Sequence, residues 1–306
     1  MKKVLAINFS QSGQLDEIVN NFISPLQNVT IDRIKIEPTS MFPFPWSEGT
    51  FYNAMPETVL EEPMELKLII YQEEKYDLII LGYQPWFLSP SRPTTSLLKS
   101  EKFMQLLKDT PVITIIGARN MWLNAQESVV NLIQAAGGKM VGNIALVDRA
   151  PNHLSAVSIV YWMMTGKKER KWGVFPLPGV SDDDISGCSA FGATLNAEIN
   201  EGELSNFQEK IMLQKAVRIN TNILFIEGKA KKIFRIWANL IKKKEAKGKN
   251  RIFWIKFFRI YLNVALFGVA PILLIFYNLF IRPFKGKKIA AKKKHYSYLG
   301  MKEHSK

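Results

Sequence analysis

The segment that follows the first apolar run has the residue types and spacing of a phosphate-binding loop. Ser10, Ser12 and Gly13 come directly after the run at residues 3–9 and open a helical pattern. In such a loop the first helical N–H groups point at an anion, hydroxyls donate to it, and glycine allows close backbone approach. The loop lacks the lysine of a nucleoside-triphosphate loop and the GxGxxG spacing of a dinucleotide fold, so a monophosphate suits it. A plain helix cap by Ser12 is the alternative interpretation.

Cysteine and histidine are scarce in the 306 residues, which excludes several kinds of chemistry. Cys188 is the single cysteine, and the three histidines are His153, His295 and His304. A disulfide framework and a cysteine-based zinc or iron–sulfur site are therefore excluded, and we predict no metal. Hydrophobic residues make up 47% and charged residues 22%, which is typical of a globular chain.

Five short segments have the pattern of β-strands. Most are nearly continuous apolar runs, as in strands buried on both faces of a parallel sheet, and the second alternates. The segments are residues 3–9, 29–36, 76–83, 111–117 and 139–147. Helical patterns lie between them, one through Ile23 and one near residues 124–136. This order predicts an α/β fold with a doubly wound, parallel, five-stranded sheet.

Four loops lie at the carboxyl ends of these strands, where open α/β sheets bind ligands. They are residues 10–14, 84–95, 118–122 and 149–153. A Pro-rich aromatic insertion at residues 40–70 breaks the alternation, and we expect it to be able to cover the site. Further along we predict a helix around residues 155–164, a Pro/Gly loop that includes Asp182, and a longer helix from about Ser205.

Roughly residues 1–150 resemble the flavodoxin-like family. The family's phosphate loop reads Thr/Ser-x-Thr/Ser-Gly-x-Thr; Ser10, Ser12 and Gly13 match it, whereas Leu15 replaces the last hydroxyl. The family also places loops against a flavin ring after its third and fourth strands. The resemblance thus implies FMN as the cofactor. The implied cofactor-binding residues are Ser10, Gln11, Ser12, Gly13, Gln14, Leu15, Pro85, Trp86, Phe87, Gly117, Ala118, Arg119, Asn120, Met121 and Trp122.

The two ring-side loops also have structural interpretations. Trp86 and Phe87 could be core residues at a strand end. Arg119 and Asn120 could cap the next helix or pair with a surface acid. In the functional interpretation, the backbone of the 117–120 turn bonds the pyrimidine edge of the flavin, and Arg119 stabilises the negative charge that develops there on reduction.

The whole chain is also similar to a narrower group, the dialkylresorcinol-forming proteins of flexirubin-type pigment pathways. The similarity rests on the opening residues 2–19, the insertion 42–46, the loops 82–92 and 118–122, and a basic tail with an apolar segment. It implies an aromatase that works beside a separate ketosynthase and oxidises a dialkyl-cyclohexane-1,3-dione to a dialkylresorcinol. Carbon–carbon condensation does not suit the chain, because no cysteine stands at a nucleophile elbow.

Aromatisation removes a hydride from one ring carbon and a proton from its neighbour, so it needs a flavin and a base. His153 is the only histidine of the body and follows the fifth predicted strand, which makes it the candidate base. A solvent-exposed residue at a helix start, or a stacking partner of another ring, is the alternative. A membrane-associated NAD(P)H:quinone reductase and a non-enzymatic electron carrier or scaffold remain open as functions.

The C-terminal part is strongly basic and contains one long apolar segment. Residues 229–306 hold 21 Lys and Arg against two acids, whereas the formal net charge of the whole chain is +14. Residues 260–281 are 22 residues without a charge, long enough for a helix of about 30 Å. We therefore predict attachment to an anionic membrane and no nucleic-acid partner, either as a span or as a re-entrant hairpin at Pro271.

We divide the chain into an FMN-binding core at residues 1–150, a helical extension that packs on it at 151–228, and a membrane-associating tail at 229–306. The opening has only four apolar residues after Lys3, which is too short for a secretory signal. We therefore expect the protein at the cytoplasmic face of the cell membrane, with a lipophilic substrate; an oligomer is compatible with the sequence.

Overall fold

A parallel five-stranded sheet forms the centre of the protein, for which a computed structural model describes residues 1–301. The strands are β1 (Lys2–Asn8), β2 (Val29–Lys35), β3 (Leu78–Tyr83), β4 (Pro111–Ala118) and β5 (Lys139–Val147). Their order in the sheet is β2-β1-β3-β4-β5, with every neighbouring pair parallel. This is the flavodoxin-like order, so the predicted fold class is confirmed.

Successive residues of the central strands point into two cores on opposite faces of the sheet. In β3, Ile79 and Leu81 join one core, and Leu78 and Ile80 join the other. All six residues of β3 are buried. Continuous apolar strands are the pattern expected when helices cover both faces.

Thirteen α-helices are present within residues 1–301. The body contains α1 (Gln14–Ile23), α2 (Glu48–Asn53), α3 (Met55–Val59), α4 (Arg92–Leu98), α5 (Glu101–Leu107), α6 (Leu123–Ala135), α7 (Asn152–Thr165), α8 (Asp182–Glu201) and α9 (Phe207–Leu213). The remaining helices are α10 (Thr221–Ala246), α11 (Arg251–Asn263), α12 (Ala270–Phe276) and α13 (Gly286–Ser297).

Two features of the predicted extension are wrong. Asp182 does not lie in a loop: it is the first residue of α8, whose N-cap Ser181 accepts a hydrogen bond from the Asp184 backbone N–H. Acids in the first turn favour a helix start through the helix dipole. The helix near Ser205 is short, because α9 ends at Leu213 and Lys215 has a left-handed φ of 65°.

The C-terminal helices form one long continuous stretch. From Arg251 to Ser297 the chain is helical throughout, with π-helical turns at Val264–Val269 and Tyr277–Ile281 and a 3-10 turn at Arg282–Lys285. Pro271 lies inside this stretch, at the start of α12. The structure therefore contains no re-entrant hairpin at Pro271. α10 also continues across residues 228 and 229, where the sequence suggested a domain boundary.

Helices α1 and α8 approach each other so closely that one position requires glycine. A Cβ atom on Gly192 would lie 1.9 Å from the backbone oxygen of Phe22. Gly187, one and a half turns earlier on the same helix, faces open space with nothing within 4 Å of a Cβ. The two glycines thus form a matched pair within α8.

We expect Gly192→Ala to lower the free energy of unfolding by about 1–3 kcal/mol or more, because a backbone atom must move. Gly187→Ala should raise it by roughly 0.5–1 kcal/mol through helix propensity alone. Urea denaturation of both variants measures the difference. Equal effects of the two substitutions would contradict the close approach.

Candidate functional site

The loops that follow β1, β3 and β4 emerge together at one edge of the sheet. Asn8 of β1 pairs with Gly82 of β3, and Gly82 pairs with Ile115 of β4, so the three strands end nearly in step. The Phe9 and Trp86 rings, in the first two loops, have centroids 5.7 Å apart. The structure therefore brings together the three loops that the sequence selected.

The first loop has the geometry of an anion cradle. Gly13 adopts a left-handed φ of 87° and precedes α1, and a Cβ there would meet nothing within 4 Å. The backbone N–H groups of Gln11, Ser12 and Gly13 donate to no protein acceptor within residues 1–301. Unpaired N–H groups at the start of a helix after a left-handed residue are suited to a phosphate.

The helix-cap interpretation of Ser12 does not match the structure. The hydroxyl that bonds the helix start belongs to Ser10, whose Oγ accepts from the Leu15 N–H at 3.2 Å. In the part of the chain that is described, the Ser12 hydroxyl has no partner, so it remains available to a ligand. The Leu15 side chain is buried in the core, and only its backbone belongs to the loop.

The side chains of the two glutamines hold neighbouring segments against the loop, which sequence reasoning missed. Gln11 Nε2 donates to the carbonyl oxygens of Phe42 and Pro43, at 3.2 and 3.0 Å. Gln14 makes a two-way bond with the Val180 backbone: Oε1 accepts from its N–H at 3.0 Å, and Nε2 donates to its oxygen at 3.1 Å. A side-chain amide offers no local sequence signal of such long-range pairing.

The loop after β3 is a strained two-residue hairpin. Pro85–Trp86 pairs antiparallel with Ser89–Pro90, and the two residues between them, Phe87 and Leu88, have φ values of 48° and 65°. Left-handed non-glycine residues each cost on the order of 1–3 kcal/mol and persist only where surrounding contacts impose them. Such strain clusters at ligand-binding sites, which is consistent with a site here.

Aromatic residues of the insertion pack on this hairpin. The Trp86 ring lies 4.9 Å from the Phe42 ring and 5.3 Å from the Trp46 ring, between centroids. Phe51 contacts Phe87 at 4.8 Å. Trp86 and Phe87 are half-buried and each packs against a hydrophobic core cluster, and the insertion covers the β3 loop.

The loop after β4 is tied to the start of α7 through Asn152. Arg119 Nη1 donates to both the backbone oxygen and Oδ1 of Asn152, each at 3.0 Å, and Asn120 Nδ2 also donates to that Oδ1. The buried Asn120 Oδ1 and Asn152 Nδ2 have no partner among the described residues. Buried polar atoms normally find partners, so this acceptor and this donor suit a bound ligand.

Arg119 is a half-buried cation at this loop. Partial burial lowers the pKa of its guanidinium to about 10, against the attraction of Asp148, so it stays charged at neutral pH. Within residues 1–301 it neither caps the next helix nor forms an ion pair with a surface acid. Trp122, by contrast, is only 1% exposed and belongs to the core, although it lines an open cavity of about 430 Å³ beside the loop. Asn120, Asn152 and Arg218 line the same cavity.

Glu227 of α10 bonds the first turn of α6, which follows the β4 loop. The sequence analysis did not select this residue. It is fully buried, and its Oε1 accepts from the Asn124 backbone N–H at 2.8 Å, at the first turn of α6. Asn124 Nδ2 returns a bond to the Glu227 backbone oxygen at 2.8 Å. Burial raises the pKa of Glu227 to about 8. Its place in the apolar stretch Ile-Leu-Phe-Ile-Glu is the signal that could have identified it.

His153 follows Asn152, the residue that bonds both Arg119 and Asn120. Its side chain faces the long C-terminal helix. Its Nε2 is 3.3 Å from the backbone oxygen of Leu266, and its ring centroid lies 6.0 Å from that of Phe267. A carbonyl oxygen only accepts, so a hydrogen bond between these two atoms has Nε2 as its donor. The ring is therefore not simply exposed to solvent.

Similar proteins are found among solved structures. No family model and no curated protein matches the chain. Among solved structures it is similar to a flavoprotein in complex with FMN from Lactobacillus acidophilus (16% identity, 47% of this chain and 92% of that chain, TM-score 0.38). It is also similar to a flavodoxin from the domain Archaea (11%, 65% and 99%, 0.33) and to an oxidised flavodoxin from Bacillus cereus (17%, 62% and 95%, 0.31).

The fold assignment rests on the strand order and on the parallel register.

We expect Glu227→Gln to flatten the dependence of stability on pH. The parent carboxyl ionises near its ordinary pKa when unfolded and near 8 when folded, so the free energy of unfolding falls as pH rises between these values. A glutamine side chain does not ionise, so the free energy of unfolding of the variant does not fall with pH for this reason. Between pH 5 and pH 8 the stability difference should shift by roughly 2–5 kcal/mol in favour of the variant. Urea unfolding at both pH values tests this, and parallel profiles would contradict it.

Proposed function

We propose that this chain is an FMN-dependent oxidoreductase whose cofactor binds at the carboxyl edge of the sheet. The observation that carries the proposal is the cradle at Gln11, Ser12 and Gly13. Within residues 1–301 its three N–H groups and the Ser12 hydroxyl have no protein partner, and there is open space above Gly13. The cradle holds no lysine or arginine, so its donor set suits one phosphate rather than a polyphosphate.

The ring of the flavin would lie between the β3 and β4 loops. Asn120 Oδ1 is a buried acceptor without a partner among the described residues, which suits an imide N–H at the pyrimidine edge of the ring. Arg119 supplies a half-buried positive charge beside it, which favours the reduced, more negative form. Trp86 and Phe87 offer half-buried aromatic surface on the other side.

The reaction that we propose is the aromatisation of a dialkyl-cyclohexane-1,3-dione to a dialkylresorcinol. The dione loses two electrons and two protons, and FMN, when bound, supplies the hydride acceptor. The similarity to dialkylresorcinol-forming proteins supports this substrate class, together with the aromatic insertion at residues 42–52, which can cover an apolar ring and exclude water.

His153 is the base in this proposal. Its Nε2–H is held by the Leu266 carbonyl, which orients the ring and leaves the Nδ1 lone pair to take the proton from the dione. Asn152, next in sequence, contacts both Arg119 and Asn120 and so keeps the base at the same edge as the ring-side loop.

Because the proposed substrate is lipophilic and partitions into lipid, the enzyme would act at the membrane. We propose that the protein is attached to the cytoplasmic face of the cell membrane, with a ketosynthase of the same pathway as its supplier of substrate.

A membrane-associated NAD(P)H:quinone reductase shares the FMN site and the apolar helix, and rapid reduction of the flavin by NAD(P)H would favour it. A chain that never binds flavin would favour a scaffold.

We expect Gly13→Val to strip the flavin. Valine disfavours a φ of 87°, so the cradle must distort, and the Kd for FMN should rise about tenfold or more, the scale of ~1–3 kcal/mol of backbone strain. Gly202→Val is the matched control, because Gly202 also has a positive φ and open space but lies at the end of α8. Flavin absorbance of the purified variants measures the effect. Full flavin content in Gly13→Val would contradict the cradle.

We expect the FMN-loaded protein to convert the dione to the resorcinol in air without NAD(P)H, because the substrate supplies the hydride. His153→Ala should lower turnover by roughly 10²-fold or more, the usual scale for loss of a general base, and should leave bound flavin intact. His295→Ala, an exposed histidine on α13, is the control. Product formed only with NAD(P)H would overturn the aromatase reaction, and near-parental turnover in His153→Ala would exclude this base.

A further inference from the structure

The long C-terminal helix leaves a wide apolar face uncovered. Large apolar side chains extend from α11 to the 3-10 turn and cover most of the circumference of the helix. Each of them is 45–85% exposed. We call them the exposed stripe: Ile252, Phe253, Phe257, Ile260, Val264, Phe267, Val269, Ile272, Leu273, Ile275, Phe276, Leu279, Phe280 and Phe284. In the most apolar segment of 18 consecutive residues in this helix, only 11% of the residues are buried. Continuous apolar surface of this extent marks an interaction site.

The stretch before the apolar segment is fixed to the body. Phe258 is fully buried in a cluster with Met55 of α3 and Ala238 of α10. Arg251 donates through both terminal nitrogens to the two carboxylate oxygens of Glu57, at 2.7 Å each. This end therefore cannot leave the body without breaking a core cluster and a bidentate ion pair.

The stretch after the apolar segment returns to the same body. Tyr296 Oη donates to Glu127 Oε1 of α6 at 2.7 Å, and Gln134 Nε2 donates to the Gly300 oxygen at 3.1 Å. Leu299 is buried in the core beneath α6. Both ends of the apolar segment are thus held by one domain.

This double attachment favours a helix that lies on a bilayer over one that crosses it. A span would separate the two ends by about 30 Å of hydrocarbon, and one of them would have to unpack from the domain. Between the ends, a narrow side of the helix touches the body: Tyr277 stacks on Phe225 at 3.9 Å, and Ala270 is buried. The helix therefore lies across the domain with the exposed stripe facing outward.

The positive charges next to the exposed stripe favour an anionic lipid surface as its partner. Lys285, Lys287 and Lys288 follow it, are exposed, and make no ion pair within residues 1–301. Residues 260–281 contain no charged side chain. A second copy of this chain would bring the same positive charges into contact, whereas an anionic lipid surface neutralises them and accepts apolar side chains beside them.

The stripe also lies next to the candidate site. The backbone of Leu266, inside the segment, contacts His153, and the neighbouring Asn152 contacts Asn120 of the β4 loop. A surface that accepts the stripe therefore comes close to the carboxyl edge of the sheet, so a substrate with alkyl chains can enter laterally from lipid.

We propose that the exposed stripe binds an anionic bilayer as a helix parallel to the membrane plane, which turns the carboxyl edge of the sheet toward the lipid. The inference gives a geometry to the membrane attachment proposed above. Lateral substrate entry rests on the proposed function, whereas binding to the bilayer does not require flavin.

The first test is sedimentation of the full chain with vesicles of phosphatidylcholine and phosphatidylglycerol in equal amounts. Binding should be strong and should weaken on vesicles of phosphatidylcholine alone. The double variant Ile272→Glu, Phe276→Glu should lose at least about tenfold in partitioning, because two apolar contacts become charged. Leu213→Glu is the matched control: Leu213 is 86% exposed but lies outside the stripe, and its variant should bind like the parent.

The second test measures depth along the helix. Cys188 is fully buried and burial raises the pKa of its thiol to about 12, so single cysteines at Ile260, Ile272 and Leu279 can be labelled selectively. A fluorophore at each position should report a similar shallow depth, about 5–10 Å into the headgroup boundary. A deep Ile272 between shallow ends would establish a span and overturn the proposal.

A third outcome would point to a different partner. If the parent ignores vesicles but is a dimer by light scattering, and the double glutamate variant is a monomer, the stripe is a contact between copies and the proposal is overturned. Flavin absorbance, and turnover of a short-chain soluble dione without vesicles, report on the proposed function separately. Their failure with intact vesicle binding would count against the enzyme activity alone.

Discussion

The candidate site depends on one constraint, the parallel register of β1, β3 and β4. Because Asn8, Gly82 and Ile115 stand side by side, the loops that begin after them share one edge of the sheet. The register is held by residues that alternate into two cores, and a shift by one residue would turn every apolar side chain to the wrong face. The cradle at Gly13, the hairpin at Phe87 and the Arg119 turn acquire a common location only through this register.

The C-terminal helices belong to the same architecture and are not an appendage. α10 provides Glu227, which bonds the first turn of α6 directly below the β4 loop. Leu224 and Leu299 are buried in the core that β3 and β4 share. The long helix then crosses the domain beside His153. Membrane contact, if made through the exposed stripe, would therefore act on a surface that is joined by these contacts to the loops of the candidate site.

Local signals explain what the sequence could predict. Four apolar runs and one alternating segment identify the five strands within about two residues of their observed ends, because strands buried on both faces are continuous and apolar and a partly exposed edge strand alternates. The loop at Ser10–Gly13 was selectable because its residue types follow a strand directly. α8 was missed because its polar first turn and its glycines, Gly187 and Gly192, look like a loop, and only its close packing on α1 explains Gly192. The contacts of Gln14, Glu227 and Tyr296 join residues more than 100 positions apart and leave no periodic trace.

The central claim is that the cradle and the ring-side loops hold one FMN. The most direct measurement is the visible absorbance spectrum of the purified full-length protein, followed by release of the chromophore and determination of its mass. We predict the two absorption bands of an oxidised flavin and one FMN released per chain. A colourless protein that takes up no flavin when FMN is added would contradict the account.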